Sequence, residues 1–242
     1  MLSLIRSYIS SQQYHPGFGG LFVNPFYFAR RGLYEHISEL APKISGKILD
    51  VGCGQKPYQQ LFNATSYTGL EIDTPDNRKN KKADFFYDGT LFPFADGEFD
   101  GVIMNEVFEH VFTPDSFLSE VNRVLKVEGT LFMTLPFVWD EHEQPFDFAR
   151  YSSFGIRSLL ERHEFTIIEQ RKSMPDIRVI FQLINAYIFK VTVSQNKYLN
   201  MLLTLILMAP FNIIGEILAK VLPKNEDLYL DNIILAKKVA ID

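Results

Sequence analysis

Strands that alternate with helices along the chain predict an α/β protein on a doubly wound, mostly parallel seven-stranded sheet. Three observations carry this expectation. Residues 47–51 form a short apolar run stopped by Gly52, the pattern of a strand buried on both faces. Phe117, Leu118, Val121, Val124 and Leu125 make one apolar stripe behind Thr113-Pro114-Asp115, which reads as an N-cap, a first-position proline and an acidic first turn. A chain of 242 residues with 47% hydrophobic content can bury one sizeable core with an appendage.

Taken in order, residues 1–24 are aromatic and glycine-rich and predict no regular element, and a helix is expected over 25–40, ending before Pro42. Strands follow at 47–51, 66–71, 83–87, 99–104 and 130–135, with the helix at 113–125 between the last two. A further helix is expected at 153–162, and two final strands at 166–170 and 229–238. Between those strands, residues 174–227 differ in character, because 198–215 carries no charge over 18 residues. The expected organisation is an N-terminal segment (1–45) on the substrate side, a core (46–173), a hydrophobic helical insertion (174–227) and the last core strand (228–242).

A formal charge of −5 and a sequence pI near 5.6 argue against a nucleic-acid partner. One cysteine, Cys53, leaves no intrachain disulfide, and the first residues lack the long apolar run of a signal peptide, so a cytoplasmic location is expected.

The strongest chemical signal is Asp50-Val51-Gly52-Cys53-Gly54 at the end of the first strand, a glycine turn ahead of an expected helix, where glycines let backbone N–H groups approach a ligand. Glu71 lies 71 − 54 = 17 residues further on, at the end of the next strand, where a ribose-binding carboxylate belongs. Pro57 stands where a dinucleotide fingerprint wants its third glycine, which disfavours a nicotinamide cofactor. Asp50 offers a carboxylate to a cationic ligand group.

These residues, with Lys56-Pro57-Tyr58, Asp88-Gly89-Thr90, Asn105-Glu106-Val107-Phe108-Glu109-His110 and Thr134-Leu135-Pro136, resemble class I S-adenosylmethionine-dependent methyltransferases over about residues 45–170. The resemblance implies a Rossmann-like fold, S-adenosylmethionine as cofactor, and a site in which each residue has a place. Glu71, followed by Ile72, would bond the ribose hydroxyls. Gly52, Cys53 and Gly54 would pass beside the methionine moiety, with Asp50 on its ammonium. Asp88 and Gly89 would flank the adenine, and Asn105 would lie under the methionine portion. Two departures are visible. The polar stretch 73–82 implies a loop where a helix is usual, and Val127-Glu128-Gly129 replaces a Pro-Gly-Gly.

His110 and His142 are the candidate general bases, each following a strand at the ligand-binding edge of the sheet. The segment 139–151, rich in Asp, Glu, His and Arg, is similar to one found in methyltransferases of surface-polysaccharide gene sets. It implies a sugar or other small hydroxylated acceptor. No strict ligand spacing appears, so no metal is expected. A non-catalytic cofactor-binding or membrane-docked protein is the alternative function on the same fold. For 198–222 the open readings are a helical cap, a homodimer contact, or an interfacial helix pair at the inner face of the membrane.

Overall fold

Ser45–Val51 forms the first strand (β1), and its Ile48, Leu49 and Val51 are buried, as an unbroken apolar run at the centre of a sheet requires. In the computed structural model, which describes Tyr8 and residues 11–239, β1 pairs in parallel with β2 (Asn63–Ile72) and with β4 (Phe99–Asn105). β3 (Phe85–Tyr87) extends the sheet beyond β2 and β5 (Leu125–Pro136) beyond β4, again in parallel. β6 (Phe165–Lys172) and β7 (Asp231–Lys238) complete the order β3-β2-β1-β4-β5-β7-β6. The Ser173 N–H donates to Asp231 and the Val239 N–H to Glu164, so β7 runs antiparallel to β6. Chain order reverses between β1 and β4, and the crevice beyond the carboxyl ends of those strands is where such sheets bind ligands.

Two helices cover this sheet where the pattern predicts them. α4 (Pro114–Val124) turns Phe117, Leu118, Val121 and Val124 into the core, although the Thr113 side chain makes no capping bond. α5 (Ser153–Arg162) starts at Ser152, whose hydroxyl accepts from the Gly155 N–H. Two segments differ from the sequence reading. Residues 73–82 are not a plain loop: Thr74 caps a short helix, α3 (Pro75–Asn80), by accepting from the Asn77 N–H. No helix follows the glycine turn after β1. Pro57 cannot donate there, and only a three-residue 3-10 turn, Gln59–Leu61, precedes β2.

The chain divides into two units, and the sheet unit comprises residues 37–137, 141–171 and the described part of 232–242. The other gathers the described part of 1–36 with 138–140 and 172–231. It holds α1 (Gly20–Val23), most of α2 (Tyr27–Leu40) and α6 (Arg178–Thr192), and a continuous helical run, α7 (Lys197–Leu203) and α8 (Ala209–Leu218), joined by a π turn at Thr204–Met208. The short helix α1 falls where the composition predicts no regular element.

Buried amides knit this unit. Gln182 on α6 accepts from the Phe28 and Ala29 N–H groups, satisfying donors that the start of α2 leaves without an intrahelical partner. Asn212 on α8 donates to the Leu21 and Asn24 carbonyls and accepts from Asn185. The run Lys197–Leu218 is long and apolar enough to cross a bilayer by length and composition. Its Thr204, Met208, Asn212 and Gly215 are nonetheless buried within the unit, while Ile206 is 58% and Val221, just beyond, 72% exposed.

Candidate functional site

The turn after β1 is shaped by two glycines with left-handed backbones. At Gly52, φ is +68° and a Cβ would lie 2.4 Å from the Val107 side chain, so the position admits nothing larger. At Gly54, φ is +53°, and a Cβ would meet nothing within 4 Å: its backbone faces open space. The Gly54 N–H donates to Glu71 Oε1 at 2.7 Å, which fixes the carboxylate at the end of β2 beside the turn. Burial raises the Glu71 pKa, and the Gly54 bond works against it.

Asp50 is buried one residue before the end of β1, where the Tyr67 hydroxyl donates to it at 2.7 Å. Burial pushes its carboxyl up to about 7, opposed by the Tyr67 bond and the Lys56 charge. Cys53 is buried too, and burial pushes its thiol up to about 12. Asp88 is exposed and accepts from the Thr90 N–H and hydroxyl, Gly89 has φ +92° with open space beside it, and Ile72 is exposed. Asn105, the last residue of β4, has a buried side-chain oxygen with no hydrogen-bond partner. Asp50, the glycine turn, Glu71 and Asn105 thus close the ends of three adjacent strands, while Asp88 and Gly89 follow the end of β3.

Sequence spacing does not reveal Lys56, Tyr67 and Asp84. Lys56 Nζ pairs with Asp84 at 2.5 Å, and Asp84 accepts from the Gly69 N–H. A Cβ on Gly69 would lie 2.4 Å from the Lys56 side chain and 2.6 Å from the Cys53 sulfur. The missing side chain at Gly69 makes room for the loop that carries the turn; it was the one signal available.

His110 and His142 come together, their ring centroids 4.8 Å apart at 72°. Each Nε2 faces Glu109 Oε1, at 3.7 and 3.8 Å. Glu109 is wholly buried, and burial, with Glu106 alongside, holds its pKa well above the usual carboxylate range. His110 Nδ1 lies 2.8 Å from the Phe146 carbonyl, and His142 Nδ1 3.2 Å from Asp147. Arg150 grips both oxygens of Asp147; burial pushes that carboxyl up, but the Arg150 bonds, the His142 backbone N–H and the Arg150 charge together bring it down to about 2. No metal was expected for want of a ligand spacing. The fold still gathers Glu109, His110 and His142 so that one ligand atom from each lies within 4.8 Å of the others, although 142 − 110 = 32 residues separate the two histidines. Of the polar segment, Trp139 and Asp140 belong to the other unit, where they meet Phe26 and Lys190.

Residues 49–133 match the model of a methyltransferase domain family. Among solved structures, phosphoethanolamine N-methyltransferase 2 of Haemonchus contortus, in complex with S-adenosyl-L-methionine, is 18% identical. That likeness covers 97% of this chain and 57% of that one at a TM-score of 0.54, so this chain spans little more than half of the worm enzyme. An S-adenosylmethionine dependent methyltransferase from Mesorhizobium loti is 12% identical, covering 86% of this chain and 98% of that one at 0.53. The [4+2]-cyclase SpnF is 18% identical over 86% and 82% at 0.55. Likenesses of this degree speak to the fold, and the cyclase shows that the fold also serves other chemistry.

Proposed function

We propose, from the premise that this chain is a class I S-adenosylmethionine-dependent methyltransferase, that it methylates an oxygen of a sugar or other small hydroxylated acceptor. The residues fit the cofactor. The Gly54 backbone faces open space, Asn105 keeps an unpartnered buried oxygen, and Asp50 and Glu71 are buried carboxylates at adjacent strand ends. Asp50 would face the ammonium, Glu71 the ribose hydroxyls, Asn105 the methionine portion, and Asp88 the adenine amine. When bound, the cofactor supplies a methyl group on a positively charged sulfur.

The acceptor side of the proposal rests on one observation. After burial, the charge of Glu143, in the loop that carries His142, is among the causes that raise the Glu71 pKa, which supports a polar loop on the side of the site where Glu71 stands. In-line displacement gains chiefly from positioning, and a hydroxyl must also give up its proton. His142, held by Asp147, and His110 beside it are the imidazoles at hand for that proton.

The test pairs binding with transfer. S-adenosylhomocysteine should bind by calorimetry, and Glu71→Ala should weaken it about 10- to 150-fold, the loss of one hydrogen bond to a charged acceptor of about 1.5–3 kcal/mol. Labelled methyl groups should pass to a glycan or small-molecule fraction of cell extract. Binding without transfer to any fraction would favour the non-catalytic reading; an unchanged Glu71→Ala would remove the site itself.

A second reading concerns place. The exposed apolar residues of α7 and α8, continuing to Val221 and Leu222, suit a lipid surface, and we propose peripheral association at the inner face of the membrane in an otherwise cytoplasmic protein. Vesicle flotation reads this out, and a homodimer through the same face is its competing outcome.

A further inference from the structure

Neither oxygen of the Glu109 carboxylate has a hydrogen-bond partner, although the side chain is wholly buried. Buried polar groups, neutral or ionised, are hydrogen-bonded or coordinated to a cation. What faces Glu109 is a pair of imidazole nitrogens at 3.7 and 3.8 Å, too far for hydrogen bonds.

The outer hydrogen bonds settle which atoms of the two rings face inward. The Phe146 carbonyl beside His110 Nδ1 can only accept, so the proton sits on Nδ1 and the Nε2 lone pair is turned to Glu109. At His142, Asp147 Oδ2 lies 3.2 Å and Arg150 Nη2 3.5 Å from Nδ1, and these two groups hold the ring with Nε2 towards Glu109. Two ring nitrogens and a carboxylate oxygen therefore converge. Histidines that ligate metals are oriented in this way, with the far nitrogen donating to a carbonyl or carboxylate.

We propose that Glu109, His110 and His142 hold a divalent transition-metal ion, and that its remaining positions take a hydroxyl oxygen of the acceptor. The second half rests on the O-methylation reading; the first does not. An ion equidistant from three atoms so spaced lies about 2.4 Å from each, a few tenths of an ångström beyond zinc–nitrogen bonds of about 2.0–2.1 Å. Two imidazoles and one carboxylate suit zinc, iron or manganese, whereas calcium and magnesium prefer oxygen ligands throughout. His110 and His142 are partly exposed (18% and 28% at the side chain), so the site is reachable.

The cluster also stands next to the cofactor turn. Val107, which packs on Gly52, is only two residues before Glu109. At such an ion the acceptor's O–H loses its proton to solvent, since a cation lowers the pKa of a bound hydroxyl. The acceptor oxygen then bonds the methyl carbon as the carbon–sulfur bond breaks, and the sulfur keeps that electron pair. His142 is a ligand in this scheme and not the base.

The experiment is a titration of chelator-treated full-length protein with Zn²⁺ by calorimetry, repeated with Co²⁺ by visible absorption. Wild type should bind one ion. Glu109→Gln and His142→Ala should each weaken binding about 100-fold or more, since even outer-shell changes cost 10- to 100-fold. S-adenosylhomocysteine affinity should stay close to wild type in both, which shows that they are folded. Wild type that takes up no Zn²⁺ at micromolar concentration, or variants that bind it as wild type does, would overturn the proposal and leave the methyltransferase reading intact. Zn²⁺ bound as expected, with label passing only to acceptors lacking a hydroxyl, would instead overturn the second half together with the O-methylation reading.

Discussion

Burial carries the Asp50 carboxyl far above an aspartate in the unfolded chain, which titrates near 3.9. The folded protein therefore holds an extra proton between about pH 4 and 7, and Asp50 contributes less stability as pH rises through that window. An ammonium placed beside it reverses the balance, because the cation favours the carboxylate. S-adenosylhomocysteine affinity should climb by up to tenfold per pH unit towards 7 and level off above it; calorimetry showing a flat profile from pH 6 to 8 would take Asp50 out of the cofactor site. Cys53 gives a second check at this scale. A thiol raised to about 12 is almost wholly protonated at pH 8, so iodoacetamide should leave native protein unlabelled and react only after denaturation, as mass spectrometry would register. The gathering of Asp50, the glycines and Glu71 is legible in the sequence because they stand where strands end, at fixed spacing. Tyr67, Lys56, Asp84 and Glu109 are not, because each acts through a neighbour brought up by folding.

Among the elements, α4 and α5 are read correctly because an apolar stripe and a terminal signal fall together. The missing helix after the glycine turn shows the opposite case. Gly54 promises a helix start, but Pro57 and the lock of Lys56 onto Asp84 commit the loop to lying over β2. The uncharged run at 198–215 announces a helix without saying which face is inward, since nearly every residue there is apolar. The amides decide it. Asn212→Leu should cost about 1–3 kcal/mol or more, because two carbonyls and the Asn185 amide lose their partner while remaining buried. Chemical denaturation would measure that loss, and a variant as stable as wild type would mean that water reaches those carbonyls.

For the molecule as a whole, a net charge of −5 limits how it can approach a membrane. Attraction to anionic lipid gains nothing, so the apolar face of α7 and α8 must supply the affinity. Binding to zwitterionic phosphatidylcholine vesicles should occur and persist in salt, and Leu205→Asp with Ile206→Asp should abolish it. Wild type that stays in the soluble fraction ends the membrane reading, and a dimer mass in solution would give that face to a second copy. The strand order carries a different consequence, one of timing. β7 is the last strand made, yet it lies between β5 and β6, so the nascent sheet has a gap one strand in from its edge until residue 238 has left the ribosome. From the completion of β6 until β7 is made, β5 and β6 each present an unpaired edge of the kind that recruits other chains. A chain cut after residue 228 is held in that state for good. It should collect in the insoluble fraction on expression, whereas a cut after 239, sparing β7, should leave the protein soluble.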